Sequence, residues 1–500
     1  MKLKICMTVL IVTALLMGGC SASKSDSETR NDHSNMSHKG MDMDESKSGM
    51  ENGHMSHTNP LALKDSTGEN ELAIPSVLEP ENAEDLVYTI KAQEGTTEIF
   101  KGYKTETYGY NGSFLGPVIR IKQGQTVKFR TMNEMSKTTT FHWHGLELPG
   151  GGDGGPHERI EPGKSRNVEF TVNQQASTLW FHPHPEGETS EQVYKGLAGL
   201  IYVEDEKTNN LGLPNDYGVN DFPLVFQDRQ FDDQKQLNYQ LFRNEDGTIG
   251  NTLLVNGTIN PKLTVRKELV RLRLLNGSNA RNFTFKLNTG ETFQQIATDG
   301  GFLNTSLTMN EITLTPGERA EILVDFSKPD TSTDLALINE DGTILLPFKM
   351  NNEQISRNNI PEILNDFTVT NEEKSLPVTK RLELFGMGAM VTINGKQFDM
   401  NRIDFTQKQG ETEIWEIYNK PDMMGGMTHP FHIHGTQFKI VSINGNEPPK
   451  NEQGWKDTVS IEPDETITLA VKFNHKGIYM YHCHLLEHED NGMMGQVKVE

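Results

Sequence analysis

The chain has 500 residues, which is enough for roughly two to four domains of ordinary size. Its formal net charge of −22 argues against a nucleic-acid-binding protein, because such a protein carries a basic patch. With only three cysteines, at positions 6, 20 and 483, the fold cannot depend on a framework of disulfides.

The N-terminus has the pattern of an export signal. Two lysines precede an apolar run from Ile5 to Met17, and Gly18-Gly19-Cys20 follows it. We expect residues 1–20 to be a lipoprotein signal peptide, so that a lipidated Cys20 anchors the protein to the cell membrane on its extracytoplasmic side. An ordinary cleaved signal is the alternative. In both cases the mature chain keeps one thiol, Cys483, which has no disulfide partner within the chain.

Residues 21–79 are predicted to be a disordered tether, because most of this segment is polar and lacks apolar periodicity. Its thioether and imidazole side chains are Met36, His38, Met41, Met43, Met50, His54, Met55 and His57. Such groups at close spacing suit Cu(I) and other soft ions. A solvated spacer of incidental composition is the alternative interpretation.

From about residue 80 the chain consists of short alternating strands separated by turn signals, and one pattern of turns occurs three times. Asn-Gly turns at 111–112, 256–257 and 394–395 each precede a pair of strands. Proline turns at 162–163, 316–317 and 463–464 each precede another alternating strand. The repetition predicts an all-β chain of three β-sandwich domains, at 80–205, 215–345 and 365–500. Residues 211–218 and 351–377 are the expected linkers.

The peptide that follows Tyr479-Met480-Tyr481 carries several metal-binding side chains. Tyr479-Met480-Tyr481 reads as a strand, and if the strand continues, His482 and His484 point to one face and Cys483 to the other. One short peptide can then serve two metal sites. A thiolate at Cys483, an imidazole at His488 and a thioether at Met493 have the ligand softness of a blue-copper centre, which needs one more imidazole. A buried thiol beside structural histidines is the alternative.

The unit His-X-His occurs four times, and on a strand this spacing aims both imidazoles at one side. The pairs are His142 and His144, His182 and His184, His432 and His434, and His482 and His484. Eight imidazoles are too many for one ion, but they divide as two, three and three over three copper ions. A single pair could be structural, whereas four pairs with a cysteine inside one are specific. The middle domain contributes none, so we expect the outer domains to face each other.

These motifs resemble those of the multicopper oxidases, from about residue 80 to the C-terminus. The resemblance implies three cupredoxin-like Greek-key β-sandwich domains and four copper ions per chain. By motif, Cys483, His429 and His488 would hold type 1 copper with Met493 axial; His142 and His432 would hold type 2; His144, His182 and His484 would hold one type 3 copper; and His184, His434 and His482 would hold the other.

Two acids match carboxyls of the same family. Asp153, in a glycine-rich turn after the first histidine pair, matches the acid near type 2 copper, and Glu489 matches the acid near type 3 copper. Because reduction of O2 to water consumes four protons, both are expected to donate protons. Alternatively, Asp153 only shapes the turn and Glu489 only orients a ligand histidine.

The resemblance implies one-electron oxidation of a small reducing substrate at type 1 copper and four-electron reduction of O2 at the three-copper cluster. Electrons would pass from Cys483 into its bonded neighbours, His482 or His484. The expected donors are Cu(I), phenols or aromatic amines, and Fe(II), with a role in copper homeostasis. Met423, Met424 and Met427 could bind Cu(I), although core filling is the default role of methionine. We expect a monomer without a nucleic-acid partner.

Other functions fit the same sequence. A general laccase-like phenol oxidase would have no part in copper homeostasis. A copper-storing lipoprotein would rely on the tether, with a vestigial body. Some proteins of this fold are scaffolds with degenerate copper sites, since fold alone does not confer activity. Copper nitrite reductase shares the domains, but it has a simpler type 2 centre, and eight cluster histidines favour reduction of O2.

Overall fold

A computed structural model describes residues 62–82, 84–239, 247–327, 334–354, 359–423 and 425–500. The predicted signal peptide at 1–20, with Cys20, lies outside the described residues, and so does the Met/His-rich part of the predicted tether. Among the residues that are described, no helix has both the length and the apolar character needed to cross a membrane.

The first β-sandwich packs two four-stranded sheets face to face. Its elements, with β1 from the preceding segment, are β1 Asn70–Glu71, β2 Val77–Leu78, β3 Val87–Thr97, β4 Thr105–Tyr110, β5 Val118–Lys122, β6 Thr126–Asn133, β7 Ser165–Thr171, β8 Ser177–Phe181, α1 Thr189–Tyr194, β9 Gly199–Glu204 and α2 Glu206–Asn209. The sheet orders are β4-β3-β6-β7 and β2-β5-β9-β8. Alternating side chains of β6 are buried, as a strand with one face on a core requires. Phe129 of β6 packs against the indole of Trp143, with ring centroids 4.4 Å apart.

The middle β-sandwich is the largest. Its strands are β10 Asp221–Arg229, β11 Thr252–Val255, β12 Thr258–Ile259, β13 Pro261–Lys267, β14 Leu269–Asn276, β15 Phe283–Leu287, β16 Phe293–Thr298, β17 Gly301–Met309, β18 Glu311–Leu314, β19 Arg319–Asp325, β20 Ala336–Ile338 and β21 Ile344–Gln354. The sheet orders are β1-β13-β21-β20-β15-β18 and β12-β11-β10-β14-β19-β16-β17. The buried strands β10 and β14 are covered on both faces, because the neighbouring domains pack on the outside of this sheet.

The third β-sandwich carries the cysteine. Its elements are α3 Asn371–Ser375, β22 Val378–Phe385, β23 Thr392–Ile393, β24 Phe405–Gln407, β25 Thr412–Lys420, β26 His429–Ile433, β27 Lys439–Ile443, β28 Thr458–Ile461, β29 Thr466–Lys472, β30 Gly477–Cys483, α4 Leu486–Asp490 and β31 Met494–Val499. The sheet orders are β23-β22-β25-β29-β27 and β24-β31-β30-β26-β28. Because β26 and β30 are neighbours, the two C-terminal histidine motifs lie side by side. Short 3-10 helices span Gly150–Gly152, Gly388–Met390 and Lys450–Glu452.

The repeated Asn-Gly turns form the same local structure in all three sandwiches. Asn111, Asn256 and Asn394 have left-handed backbone φ angles of 54°, 49° and 54°, a conformation that asparagine tolerates better than most residues. Each side-chain Oδ1 accepts a hydrogen bond from a backbone N–H of a neighbouring strand, at 2.7, 2.8 and 2.7 Å. The threefold repetition seen in the sequence therefore reflects three copies of one architecture.

Part of the predicted disordered tether belongs to the folded body. Strand β1 pairs in parallel with β13, and β2 pairs in parallel with β5. Leu63 and Leu72, which are 7% and 8% exposed, pack into the core of the middle sandwich. The prediction of disorder was therefore wrong for residues 62–79, because scattered leucines give no periodic signal although they fill gaps in another domain.

The middle sandwich also extends beyond its expected end at residue 345. Strand β21 continues to Gln354, and its partner across the sheet is β13. The polar residues at the end of β21 resemble a linker in sequence, and they begin the predicted linker at 351–377. Polar residues can still form a strand, because the hydrogen bonds between paired strands join backbone groups and do not depend on apolar side chains.

Candidate metal centre

Cys483 is fully buried at the end of β30, with two imidazoles beside its sulfur. His429, at the start of β26, places Nδ1 at 3.4 Å from Sγ, and His488 of α4 places Nδ1 at 3.9 Å. Met493 is also fully buried, and its backbone oxygen accepts a hydrogen bond of 3.1 Å from the Cys483 N–H. One thiol and two imidazoles are thus gathered in one small volume, and Met493 belongs to the same buried core.

Eight further histidines meet where the first and third sandwiches face each other, and all eight are fully buried. They are His142, His144, His182, His184, His432, His434, His482 and His484. In the first sandwich the backbones of His142 and His182 form a two-way bridge, with N–H···O distances of 2.8 and 3.1 Å. In the third, His432 of β26 lies opposite His482 of β30. The expected meeting of the outer domains is observed.

The ring nitrogens of this cluster approach one another closely, in groups that mix the two sandwiches. The Nε2 atoms of His142 and His432 are 3.4 Å apart. The Nε2 atom of His482 lies 3.2 Å from that of His184 and 3.0 Å from that of His434, so these three form one group. His144 Nδ1 lies 3.4 Å from His182 Nε2, and the His484 ring centroid lies 5.0 and 5.5 Å from the centroids of those two rings. The ring nitrogens of His142 and His432 and those of one expected triad are therefore brought together, while the His484 ring lies beside its two expected partners.

The His-X-His spacing suggested that each histidine pair lies along a continuous strand. The structure instead places the pairs at strand ends or beside them. Strand β8 ends just before His182, β26 ends just before His434, and β30 ends just before His484. In the third sandwich the first histidine of each pair is still part of a strand, while the second lies just beyond the strand end. The two imidazoles of a pair therefore enter neighbouring groups, as His482 and His484 do.

Burial disfavours the charged form of most of these imidazoles. Burial, together with the charges of neighbouring imidazoles, lowers the pKa values of His144, His182, His184, His432, His434, His482 and His488 well below 6.5. Burial lowers the pKa of His429 to about 4 and that of His484 to about 3. A neutral imidazole has a free lone pair, which is the form that binds a metal.

Several of these buried nitrogens have no hydrogen-bond partner within the described residues. They include both ring nitrogens of His484 and one each of His184 and His488. Unpaired polar atoms in a dry interior are costly, and a bound cation would satisfy them. Burial also raises the pKa of the Cys483 thiol, so a metal ion is needed to hold its sulfur as a thiolate. The donor set of imidazole, thiolate and thioether fits copper.

Asp153 follows the 3-10 helix Gly150–Gly152 and is 2% exposed. Its Oδ2 accepts a hydrogen bond of 2.7 Å from His434 Nδ1, and its backbone oxygen lies 3.1 Å from His142 Nδ1. Its other carboxylate oxygen has no hydrogen-bond partner within the described residues. One acid therefore orients two cluster histidines and keeps an oxygen free.

Glu489, in α4, is the second acid beside the cluster. Its Oε1 is 3.3 Å from His184 Nε2, and its Oε2 is 3.3 Å from His482 Nδ1. Burial, with the charge of Asp490 as a second cause, raises the pKa of Glu489 well above its ordinary value. Burial therefore disfavours the ionised form of this carboxyl, which lies within reach of the histidines.

Sequence reasoning missed a third acid, Asp457. Its Oδ1 lies 2.9 Å from His144 Nε2, and its backbone oxygen lies 2.7 Å from His432 Nδ1. Arg319 of the middle sandwich holds the carboxylate through bonds of 2.7 and 2.6 Å. No local signal marks Asp457, since its partners lie 138 and 313 residues away in the chain.

Comparison with known proteins places this geometry in a family. Models described as "Multicopper oxidase" match residues 91–208, 220–352 and 366–500. A multicopper oxidase from Staphylococcus epidermidis is 48% identical over 445 residues, which cover 89% of this chain and 95% of that protein. The solved structure of a laccase from Pediococcus acidilactici has 43% identity and a TM-score of 0.84, covering 89% of this chain and 96% of that one.

The similarity also reaches proteins with a different description. A cell division protein FtsP from Photorhabdus laumondii is 35% identical over 462 residues, covering 88% of this chain and 94% of that protein. The three domain matches together extend over most of the folded body, and they carry the two histidine-rich faces and the cysteine. The chain therefore belongs to the multicopper oxidase family, whose members bind copper and oxidise a reducing substrate with O2.

Proposed function

We propose that this chain binds four copper ions and couples one-electron oxidation of a small donor to four-electron reduction of O2. Cys483, His429, His488 and Met493 would hold one ion; His142 and His432 would hold the second; His144, His182 and His484 would hold the third; and His184, His434 and His482 would hold the fourth. The close approach of His429 and His488 to the Cys483 sulfur, with eight buried imidazoles nearby, carries this proposal.

The chain connects the two parts of the centre by covalent bonds. Cys483 is bonded to His482 and His484. His482 belongs to the triad with His184 and His434, and the His484 ring lies beside those of His144 and His182. Copper, when bound, supplies the one-electron chemistry and the reduction of O2. The peptide of Cys483 provides a short bonded route for each electron, and the buried surroundings of the sulfur exclude water from it.

Protons reach the cluster through its acids. Reduction of one O2 to two waters takes four electrons and four protons, so groups beside the cluster must deliver protons. Glu489 lies at 3.3 Å from two ring nitrogens, and burial raises the pKa of its carboxyl well above the ordinary value. Asp153 bonds His434 and keeps one carboxylate oxygen unpaired. The two acids contact different histidines of one triad.

The donor binds near the edge of the third sandwich, where methionines are exposed. The helix Gly388–Met390 packs against α4, which carries His488, and the Gly388 backbone oxygen accepts a bond of 3.3 Å from Asn491. Met390 and Met423 are among the most exposed large apolar side chains in the described part of the chain, at 77% and 105%. Exposed thioethers favour Cu(I) as a substrate, with a role in copper homeostasis.

A general laccase activity is the second candidate. It is favoured by the laccase from Pediococcus acidilactici among the related structures. A phenol or aromatic amine needs only to approach the imidazole ring of a copper ligand. His429, which is 1% exposed, is one such ring. Fe(II) would instead require carboxylates around that edge.

Oxygen uptake by copper-loaded protein tests both candidates, with Cu(I), Fe(II) and a phenol as donors and Cys483→Ser as the control. Faster uptake with Cu(I) supports the cuprous oxidase, and faster uptake with the phenol supports the laccase. Absence of uptake with every donor would overturn the enzymatic proposal and favour a binding or scaffold role.

We further propose export and membrane attachment through lipidated Cys20. The support is the sequence alone, in which small residues precede a cysteine after a short apolar run. Metabolic labelling with a fatty acid should mark the wild-type chain and leave Cys20→Ala unlabelled. Equal labelling of both chains contradicts this proposal.

A further inference from the structure

Glu158 lies between the buried Asp153 and solvent, in a loop that the metal centre does not otherwise use. Residues 154–157 connect the two acids, and the Glu158 N–H donates a bond of 3.0 Å to the Gly155 oxygen, so the chain turns back on itself. The Glu158 side chain is 13% exposed, whereas Asp153 is 2% exposed. One carboxyl thus reaches the surface, and the other bonds a cluster histidine.

The two carboxyls border the same small space, which exists because residue 155 is glycine. A Cβ atom at Gly155 would lie 3.6 Å from Asp153 Oδ2, 3.8 Å from Glu158 Oε2 and 3.6 Å from Met480 Cγ. Two polar oxygens and one apolar atom therefore surround a position that no side chain fills. A space with two polar walls can hold a water that bridges them.

Burial and a neighbouring negative charge favour the protonated form of Glu158. Burial is the largest cause, and the negative charge of Asp153 is the second; together they raise the pKa of Glu158 to about 8. Arg166, at 4.0 Å, and the backbone N–H of Gly155 act in the opposite direction and are outweighed. The Arg166 guanidinium is partly engaged elsewhere, since it donates a bond of 2.6 Å to the Gly151 oxygen.

We propose that Glu158 is the carboxyl that loads protons from solvent and passes them across the Gly155 gap to Asp153. In each transfer the O–H bond of Glu158 breaks, a proton moves through the bridging water, and an O–H bond forms on Asp153. Bulk water then returns a proton to Glu158, and no electrons move in these steps. This inference rests on the proposed reduction of O2, which consumes the protons.

The first test is Glu158→Gln, which keeps the size of the side chain and removes its ability to carry a proton. Enzyme reduced beforehand is mixed with O2, and the return of the blue absorbance is followed from pH 5 to pH 9 in a stopped-flow instrument. We expect reoxidation at least about a hundredfold slower at pH 7, the lower end of the range for loss of a proton-transfer group. The wild-type rate should fall as pH rises through about 8, and the variant should lose this decline.

Two readouts that do not depend on turnover accompany the kinetics. Copper content and blue absorbance should equal those of the wild type, which separates proton delivery from damage to the centre. In metal-free protein, the infrared band of a protonated carboxyl should disappear around pH 8, and Glu158→Gln should lack this change. Glu161→Gln, which alters an exposed acid in the same loop, is the matched control and should behave as wild type.

The second test fills the gap without touching any acid. Gly155→Ala places a methyl group at ordinary contact distances of 3.6 to 3.8 Å from its neighbours, so the loop can accept it. We expect slower reoxidation with the infrared change retained. If Glu158→Gln loses copper, the Gly155→Ala variant alone tests the inference. An unchanged rate of reoxidation in Gly155→Ala overturns it.

The results separate this inference from the proposed function. A wild-type protein that consumes no O2 contradicts the proposed function itself. A wild-type protein that consumes O2, with Glu158→Gln unchanged in rate and pH profile, contradicts only the role of Glu158. A slower variant with the wild-type pH profile also overturns that role, because it shows a structural effect.

Discussion

Arg319 of the middle sandwich and Asp457 of the third form a bidentate ion pair, with N–O distances of 2.7 and 2.6 Å and both side chains fully buried. The same carboxylate lies 2.9 Å from His144 of the first sandwich. A domain that supplies no histidine to the cluster therefore helps to position one through Asp457. The pair joins all three domains at a single point.

Replacement of Arg319 by methionine should destabilise the folded chain. The change leaves the Asp457 charge buried with its main partner removed, and breaking such a pair costs about 3–5 kcal/mol. Denaturant unfolding of the metal-free protein measures the loss. Arg381→Gln is the control, since Arg381 pairs with Glu416 at the surface with 69% of its side chain exposed, and it should change the free energy of unfolding by less than about 0.5 kcal/mol. Equal effects of the two changes contradict this role for Arg319.

Cys483→Ser should abolish the strong blue absorption and remove about one copper per chain, because a serine oxygen is a poor ligand for the soft site. The imidazole cluster should keep its copper. Absorption spectra and metal analysis on the same sample measure both outcomes. A variant that remains blue, or one that loses all its copper, disagrees with separate sulfur and imidazole sites.

Met493→Leu should raise the reduction potential of the sulfur site, since the axial thioether is one of the groups that tune it. Leucine has a similar volume, so the buried site should keep its packing. Potentiometric titration of the blue band measures the change. An unchanged potential indicates that Met493 is not a ligand. Met494→Leu, the same change at the buried neighbour, is the control and should leave the potential as in the wild type.

The stability of the metal-free chain should depend on pH through Glu158. Its pKa is about 8 in the folded state against an ordinary value of 4.5, so between these values the folded chain holds a proton that the unfolded chain releases. Stability from this group is therefore full below about pH 4.5 and is lost as pH rises through 8. Glutamine has no such loss, so Glu158→Gln should gain on the order of a few kcal/mol over wild type by pH 8. Unfolding curves from pH 4.5 to pH 8 measure the difference in free energy of unfolding between Glu158→Gln and wild type. A difference that does not change with pH contradicts the prediction.

The metal centre could be predicted well from the sequence because its ligands occur in short motifs. Histidine spacing around Cys483 and the repeated Asn-Gly turns are patterns within a few residues, and the fold and the meeting of the outer domains followed from them. Asp457 and Glu158 escaped notice because their environments come from distant parts of the chain or from a missing side chain at Gly155. The expectation that both histidines of a His-X-His pair lie on one strand was only approximate. In the third sandwich, β26 and β30 end before the second histidine of each pair.

Gly317 offers the sharpest test of how the middle sandwich supports the cluster. Its backbone is left-handed, with φ of +86°, and an added Cβ would lie 3.0 Å from three atoms of the His484 ring. Gly410 has a φ of +79°, but nothing lies within 4 Å of its Cβ position. Alanine at either position adds backbone strain of about 1–2 kcal/mol, so both variants should lose similar stability.

Only Gly317→Ala should also displace the His484 imidazole, because a contact of 3.0 Å requires one of the two groups to move. We therefore expect lower copper content and slower oxygen uptake in Gly317→Ala and wild-type values in Gly410→Ala, measured on samples loaded in parallel. If both variants keep their copper and activity, the loop of the middle sandwich is not needed to hold His484. If both lose them, backbone strain and not the contact with His484 is responsible.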